Sequence, residues 1–252
     1  MGLAIVLTMF AMGILLGFVG AGGAGFIIAL LTVLFGVPIH TALGTSLAAM
    51  AFTTLSGAYS HFRQGNISLK TGLLTGVFGA VGSYFGSQTA GWIPVHSLHW
   101  LTAGMLFLSA VVLLIRLFIV QKRFENRKTE LANVPWIFPK AVLVGIISGI
   151  LAGTFGIGSA PFIQIGLLTV LGLSIKQSVG TTMLVILPIA FAGGIGYYAE
   201  GYLDVVLLLQ VLIGTMIGSY IGARFTNYAP QGLLKSAMVL TPITAAAIML
   251  IS

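Results

Sequence analysis

The feature that most constrains the fold of this chain is an internal repeat in which apolar segments are interrupted by glycines at matching places. In the first half, Gly20-Ala21-Gly22-Gly23 precedes Gly44-Thr45-Ser46, and in the second half Gly156-Ile157-Gly158-Ser159 precedes Gly180-Thr181-Thr182. Both motifs recur after 136 residues (156 − 20 and 180 − 44). A duplication whose apolar segments break at corresponding points indicates the binding site of a membrane transporter.

The composition places most of this chain in a membrane. Of its 252 residues, 58% are hydrophobic and only 6% are charged, whereas soluble domains carry roughly 25% charged residues. Apolar stretches long enough to span a bilayer, about 20 residues, recur along the chain and leave no room for a soluble catalytic domain. The net charge of +7 comes from basic residues in the loops between apolar segments, so it indicates membrane topology and not nucleic-acid binding.

The hydropathy pattern predicts five apolar segments in each half. They lie at 3–20, 24–37, 40–62, 71–91 and 98–120, and at 140–155, 159–173, 175–198, 204–223 and 231–251. The second segment of each half reaches only about 21 Å, which is less than the roughly 30 Å of a hydrocarbon core. We therefore expect an all-α integral membrane protein of about 8–10 membrane segments. Each half would hold three long helices and a short helix pair broken at glycines, the pair being either re-entrant or fully spanning.

The charges indicate how the two halves are oriented. With an odd number of crossings per half, the acidic pair Glu200 and Asp204 lies on one side of the membrane and the basic loop residues lie on the other. These basic residues are Arg63, Lys70, Lys122, Arg123, Arg127, Lys128, Lys176 and Arg224. An even number mixes the two signs, so the positive-inside rule favours the odd number. An odd number also makes the halves inverted repeats, which we place at 1–120 and 140–252, with a cytoplasmic linker at 121–139 and both termini outside.

The starts of the two short helices are the candidate substrate site. A helix N-terminus presents unpaired N–H groups and a partial positive charge, so it can bind an anion without a cationic side chain. Small residues let the backbone approach a ligand, and nearby hydroxyls add neutral donors. The alternative is that small residues only pack helices and hydroxyls bond to their own helix, but packing does not require two matched breaks. The candidate substrate-binding residues are Gly22, Gly23, Ala24, Gly25, Thr45, Ser46, Gly158, Ser159, Ala160, Pro161, Thr181 and Thr182.

Two further pairs occupy equivalent positions in the halves and are candidates for the transport pathway. His40 pairs with Lys176 (176 − 40 = 136), and Tyr84 pairs with Tyr220 (220 − 84 = 136). The alternatives are an interfacial role for the first pair and helix packing for the second.

Catalytic and metal chemistry are not expected. The chain has no cysteine, and its four histidines lack metal-ligand spacing. Its four acidic residues lie in or beside loops, so no carboxylate is predicted at the bilayer centre to relay protons or bind a coupling cation. An anion leaving an inside-negative cell gains roughly 2.3 kcal/mol per 100 mV without any coupling residue. We therefore expect a non-enzymatic exporter with no cofactor.

The residues at 20–28 (Gly-x-Gly-Gly-x-Gly-Phe-Ile-Ile) and 35–47 (Phe-Gly-Val-Pro-Ile-His-Thr-Ala-Leu-Gly-Thr-Ser-Leu) resemble the sulfite exporter TauE/SafE family of the toluene-sulfonate permease superfamily. The likeness extends over essentially the whole chain. Two departures are the lack of a proline within 28–30 and the reduced second glycine cluster at 156–159.

The resemblance implies transport of a sulfur-containing oxyanion, such as sulfite, sulfoacetate or a related organosulfonate, across the bacterial plasma membrane. Export down the membrane potential by alternating access is the leading hypothesis. An anion channel with a continuous pore and ion-coupled uptake of an organic acid or sulfonate are the alternatives. The expected partners are the small anion and membrane lipid, with a homodimer as the candidate assembly and no nucleic acid.

Overall fold

A computed structural model of the chain describes residues 2–19, 24–115, 137–157, 159–226 and 231–251, and these residues are helical without any strand. In chain order the helices are α1 (Gly2–Val19), α2 (Ala24–Ala29), α3 (Ile39–Arg63), α4 (Leu69–Trp92), α5 (Val95–Ile115), α6 (Ile137–Phe155), α7 (Ala160–Ile165), α8 (Ile175–Ala199), α9 (Val205–Thr226) and α10 (Gln231–Ile251). The short helices α2 and α7 continue directly into π-helical turns, Leu30–Leu34 and Gly166–Val170.

The helices of the two halves correspond one to one at a spacing of 136 residues. α3 and α8 correspond at both ends, as do α5 and α10, and the π-helical turns begin at equivalent positions. The turns between helices correspond too. Gly36 and Gly172 adopt positive φ angles of 63° and 68°, which glycine tolerates without strain. The duplication seen in the sequence is therefore also a duplication of local structure.

Helix α4 has the inside-out polarity of a membrane helix. The residues it buries are small or carry hydroxyls, among them Thr71, Thr75, Ser83 and Ser87. The side chains it exposes are large and apolar, in a row at four-residue spacing: Leu73, Val77, Val81 and Phe85. A soluble amphipathic helix has the opposite arrangement, so α4 presents an apolar face outward.

Glycines bring α4 and α6 into backbone contact, and the two helices run parallel. Gly145 lies against the backbone of Thr75, and Gly149 lies against Gly79 one turn further along both helices. Helices α1 and α9 make the equivalent parallel contact, with Gly214 against Val6 and Gly13 against Thr215. The first helix of each half therefore packs against the fourth helix of the other half.

The long helices α3 and α8 cross the centre of the molecule in contact with each other, and they run antiparallel. Four contacts follow one another along the pair: Gly44 with Tyr197, Leu47 with Gly193, Gly57 with Met183, and His61 with Gly180. Residue numbers rise on one helix as they fall on the other. The contacts are also reciprocal, because the equivalent of each contact is another contact in the same series.

Among the described residues, three helices are long and apolar enough to cross a bilayer by length and composition alone. They are α5 (Val95–Ile115), α6 (Ile137–Phe155) and the Gln177–Ala199 part of α8. Helices of similar length, such as α4, have more glycine and hydroxyl residues on their buried faces.

We predict that the α4–α6 contact does not tolerate a side chain at Gly149. A Cβ atom there would overlap the carbonyl oxygen of Gly79, which belongs to the backbone and cannot rotate away. Gly149→Ala should therefore lower stability by about 1–3 kcal/mol, the usual cost of overpacking. Thermal unfolding in detergent measures the change.

The matched control is Gly104→Ala on α5, where an added Cβ meets nothing within 4 Å. Because alanine favours a helix over glycine by roughly 0.5–1 kcal/mol, this variant should unfold at the wild-type temperature or higher. An unfolding temperature of Gly149→Ala equal to that of Gly104→Ala would contradict the proposed close contact.

Candidate functional site

The glycine turn between α6 and α7 is the place where the candidate residues of the two halves meet. Gly156 closes α6 with a φ of 62°, and its N–H donates to the carbonyl of Ala152 (2.8 Å). Leu43 of α3 packs directly on this glycine. The hydroxyl of Ser46, on the same helix, donates to the carbonyl of Leu43 (2.9 Å) and lies 3.2 Å from the carbonyl of Gly156. The first-half helix α3 thus holds the second-half glycine turn.

Ser159, the residue before α7, combines an unusual backbone with an unpaired hydroxyl. Its φ is 47°, and no other non-glycine residue of the described chain has a positive φ. A backbone in this region costs of order 1–3 kcal/mol and persists only where the surroundings impose it. The side chain is fully buried, and its Oγ atom has no hydrogen-bond partner within the described chain.

Other buried hydroxyls are also unpaired, so this property alone does not select Ser159. They belong to Thr45, Thr75, Ser83 and Thr102. All four lie within helices, where rotation about χ1 lets a hydroxyl donate to the carbonyl three or four residues earlier. Ser159 lies outside a helix and lacks this local alternative. Its hydroxyl is therefore the donor of this group best placed to bind a ligand.

The Gly-Thr pairs of the two halves differ in their hydrogen bonds. Thr181 Oγ1 accepts from the backbone N–H of Ser68 (3.0 Å), which joins the two halves at the end of the molecule that has Arg63 and Lys70. The equivalent Thr45 Oγ1 has no hydrogen-bond partner among the described residues. Thr182 donates to the carbonyl of Ser178 within its own helix (2.7 Å). In the described structure the two halves therefore differ in the hydrogen bonds of these equivalent threonines.

The remaining residues of the predicted substrate site lie at the starts of the short helices. Ala24 and Gly25 are buried in the first turn of α2, where Gly25 lies against Leu106. Ala160 is buried and Pro161 half-buried in the first turn of α7. Gly22, Gly23 and Gly158 lie outside the described residues.

The four pathway candidates lie in different environments. His40 is buried, with Nε2 3.0 Å from the carbonyl of Ala90, and its ring stacks on Tyr202 at 4.6 Å. Tyr84 is half-buried and contacts Phe85 edge to face, whereas Tyr220 is 65% exposed. Lys176 lies in the first turn of α8, and its side chain lies outside the described part of the structure.

Gln164 is a polar residue of this region that the sequence reasoning missed. It lies on α7 and is 93% buried (7% exposed). Its backbone carbonyl accepts from Ser178 Oγ (3.1 Å). The signal that could have identified it is an amide side chain in an apolar segment at the depth of the glycine turn, where the first half has Ile28. A polar group at that depth is costly and indicates function.

The buried side chains of the described residues include polar groups but no lysine, arginine, aspartate or glutamate. These polar groups belong to serines, threonines, His40 and Gln164. Arg63, Lys70, Glu200 and Asp204 are exposed at helix ends. Gly180 contacts Asn66 at one end of the α3–α8 pair, and Gly44 contacts Tyr202 at the other. Arg63 and Lys70 therefore lie at the opposite end of this pair from Glu200 and Asp204.

Comparison with known proteins places this architecture in a family. A family model described as Sulfite exporter TauE/SafE matches residues 5–249. The probable membrane transporter protein YdhB of Bacillus subtilis is 61% identical, with 98% of this chain and 99% of the relative covered. The similar protein YjnA of the same organism is 28% identical over 96% and 98%. A probable membrane transporter protein of Methanocaldococcus jannaschii is 28% identical over 88% and 85%. No solved structure matches the chain.

We predict that the strained backbone of Ser159 prefers glycine. Because alanine is disfavoured at positive φ and glycine is not, Ser159→Gly should be more stable than Ser159→Ala by about 1 kcal/mol. Thermal unfolding in detergent measures the order of the two variants.

Ser109 is the matched control, since it is buried inside α5 and its hydroxyl donates to the carbonyl of Leu106 (2.8 Å). At this helical position alanine should be more stable than glycine by roughly 0.5–1 kcal/mol. The same order at both positions would show that Ser159 lacks the backbone described above.

Proposed function

Because this chain belongs to the sulfite exporter TauE/SafE family, we propose that it transports a small sulfur-containing oxyanion, such as sulfite or an organosulfonate, out of the cell by alternating access. Membership of a family of membrane transporters accounts for the apolar helices and for the inside-out polarity of α4. The substrate, the direction and the mechanism are our proposal, and they rest on the arrangement at the glycine turn.

The proposed mechanism requires the two halves to be inverted repeats. The antiparallel contact of α3 and α8 supports this arrangement, because equivalent helices of repeats inserted in the same direction run parallel across a membrane. The separation of charge along this helix pair agrees with inversion. By the positive-inside rule, the end with Arg63 and Lys70 faces the cytoplasm and the end with Glu200 and Asp204 faces outward.

The observation that carries the proposal is the buried, unpaired hydroxyl of Ser159 beside a turn that both halves build. A buried hydroxyl without a partner destabilises a protein by about 1–3 kcal/mol. An anion oxygen that accepts from Ser159 removes that penalty, and bonds to an ionised acceptor are roughly twice as strong as neutral ones. The backbone N–H groups around Gly22–Gly25 and Gly158–Ala160, next to Pro161, would supply the other donors, aided by the hydroxyls of Thr45, Ser46, Thr181 and Thr182.

The asymmetry between Thr45 and Thr181 supports alternating access. In inverted-repeat transporters the two halves exchange conformations as the site opens to one side and then to the other. The bond from the Ser68 N–H to Thr181 ties the halves together at the proposed cytoplasmic end. The equivalent Thr45 at the outer end makes no such bond. We infer a state closed to the cytoplasm, whose counterpart has Thr45 bonded and Thr181 released.

Counterflow in proteoliposomes tests the proposal. Purified protein is given sulfite, sulfate, thiosulfate, taurine and sulfoacetate, with and without an imposed membrane potential. We expect saturable exchange of at least one sulfur oxyanion, and net efflux that increases when the interior is negative. Absence of exchange with all five compounds would contradict the proposal, and single-channel currents would favour a continuous pore.

The residue assignment is tested in the same assay with Ser159→Gly. This variant keeps a compatible backbone but lacks the donor, and loss of one hydrogen bond to a charged ligand, roughly 1.5–3 kcal/mol, should reduce flux about tenfold or more. Ser109→Ala, which removes a hydroxyl bonded within its own helix, should keep flux within about twofold of wild type. Wild-type flux in Ser159→Gly would contradict the role of Ser159.

A further inference from the structure

Gln164 is 93% buried (7% exposed), but its side-chain amide keeps some exposure to solvent and makes no hydrogen bond with the described residues. The bond to Ser178 is made by its backbone carbonyl. An amide group carries two donors and an acceptor, and in Gln164 these groups remain available to a ligand or a solvent molecule that reaches them.

The position of Gln164 directs this amide toward the turn that holds Ser159. Gln164 lies four residues after Ala160, on the same face of α7, and both are buried. Side chains on a helix lean toward its N-terminus and cover the preceding turn. The amide of Gln164 is therefore carried back toward the first turn of α7, which begins directly after Ser159.

The second observation concerns the charge of the buried side chains. None of the buried side chains of the described residues is a lysine or an arginine, so the donors available to a bound anion among them are hydroxyl, amide, imidazole and backbone groups. The cost of moving an ion out of water rises with the square of its charge, so a dianion is disfavoured about four times as strongly as a monoanion of the same size. Neutral hydrogen-bond donors can offset the desolvation cost of a monoanion far more readily than that of a dianion.

From these two observations we infer that Gln164 contacts the substrate together with Ser159, and that this neutral site selects singly charged oxyanions over doubly charged ones. This inference rests on the proposed function. It narrows the substrate class to ions such as hydrogen sulfite and simple monosulfonates, and it makes Gln164 the residue that determines specificity in the second half. The first half, with Ile28 at the equivalent position, lacks the same donor.

The charge selection is tested with pairs of ions that differ in charge. Wild-type protein in proteoliposomes is given ethanesulfonate or 1,2-ethanedisulfonate, and sulfite over a range of pH at fixed ionic strength. We expect the monosulfonate to exchange at least about tenfold faster than the disulfonate. A tenfold ratio of rates corresponds to only a small part of the expected difference in desolvation free energy between the two ions. Sulfite flux should fall as rising pH converts hydrogen sulfite into the dianion.

If wild type exchanges sulfite equally at all these pH values, or carries both sulfonates at equal rates, the charge selection is wrong while anion transport stands. If it carries sulfite but neither sulfonate, the sulfite pH profile alone decides the question. If it exchanges none of these ions and none of the five used above, it is the proposed function that fails.

The role of Gln164 is tested with Gln164→Leu and Gln164→Glu in the same assay. Loss of the amide should reduce monoanion flux about tenfold or more, and the glutamate, which adds a negative charge in its ionised form, should reduce it further. The control is Gln210→Leu, the same substitution on α9, where the amide lies beside Gly2 at the start of α1. Flux in Gln164→Leu equal to that in Gln210→Leu, with both variants inserted and monodisperse, would overturn the assignment.

Discussion

The close antiparallel contact of α3 and α8 is the constraint on which the rest of the structure depends. Membrane helices gain little from the hydrophobic effect when they meet each other, so their association relies on close packing of small residues. Gly57 and Gly193, equivalent residues on the two helices, each receive a long side chain of the other helix, Met183 and Leu47. Because each contact has its counterpart in the other half, the same type of contact, a glycine against a long side chain of the other helix, occurs twice along the pair.

This arrangement determines where polar groups can lie. Small residues and hydroxyls lie on the buried faces together with leucine and isoleucine side chains, and large apolar side chains also cover the outside. The helices also position the glycine turn, since α3 supports Gly156 through Leu43 and Ser46. The left-handed backbone and the unpaired, buried hydroxyl of Ser159 are unfavourable in isolation, and both occur beside that turn. In our account a bound monoanion offsets these local costs.

Much of the helical architecture could be predicted from the sequence, because helix boundaries depend on local patterns. α10 was predicted at 231–251 and is Gln231–Ile251, and α3 was predicted at 40–62 and is Ile39–Arg63. The starts of α5 and α6 were predicted three residues too late. Pro94 lies just before α5 and Pro139 in the first turn of α6, where helices tolerate proline, and the polar His96 delays the start of α5 when hydropathy alone is used.

The site was less predictable because it depends on contacts between distant parts of the chain. The repeat identified Ser46 and Ser159 as candidates, but hydropathy contains no information on which half packs against which. The bond from Ser46 to Gly156 and the pairing of α1 with α9 follow from three-dimensional packing of glycines. Gln164 could not be predicted from positions that carry similar residues in both halves, because its equivalent in the first half is the apolar Ile28.

The inverted arrangement of the halves is tested most directly by labelling two equivalent loop positions in membranes. Gln64 and Glu200 lie 136 residues apart at the ends of α3 and α8, both are exposed, and the chain has no cysteine of its own. In intact cells, a membrane-impermeant maleimide should label the single-cysteine variant Glu200→Cys and leave Gln64→Cys unlabelled, and inverted vesicles should give the opposite result. Labelling of both variants from the same side would contradict the inverted repeat and the transport mechanism built on it.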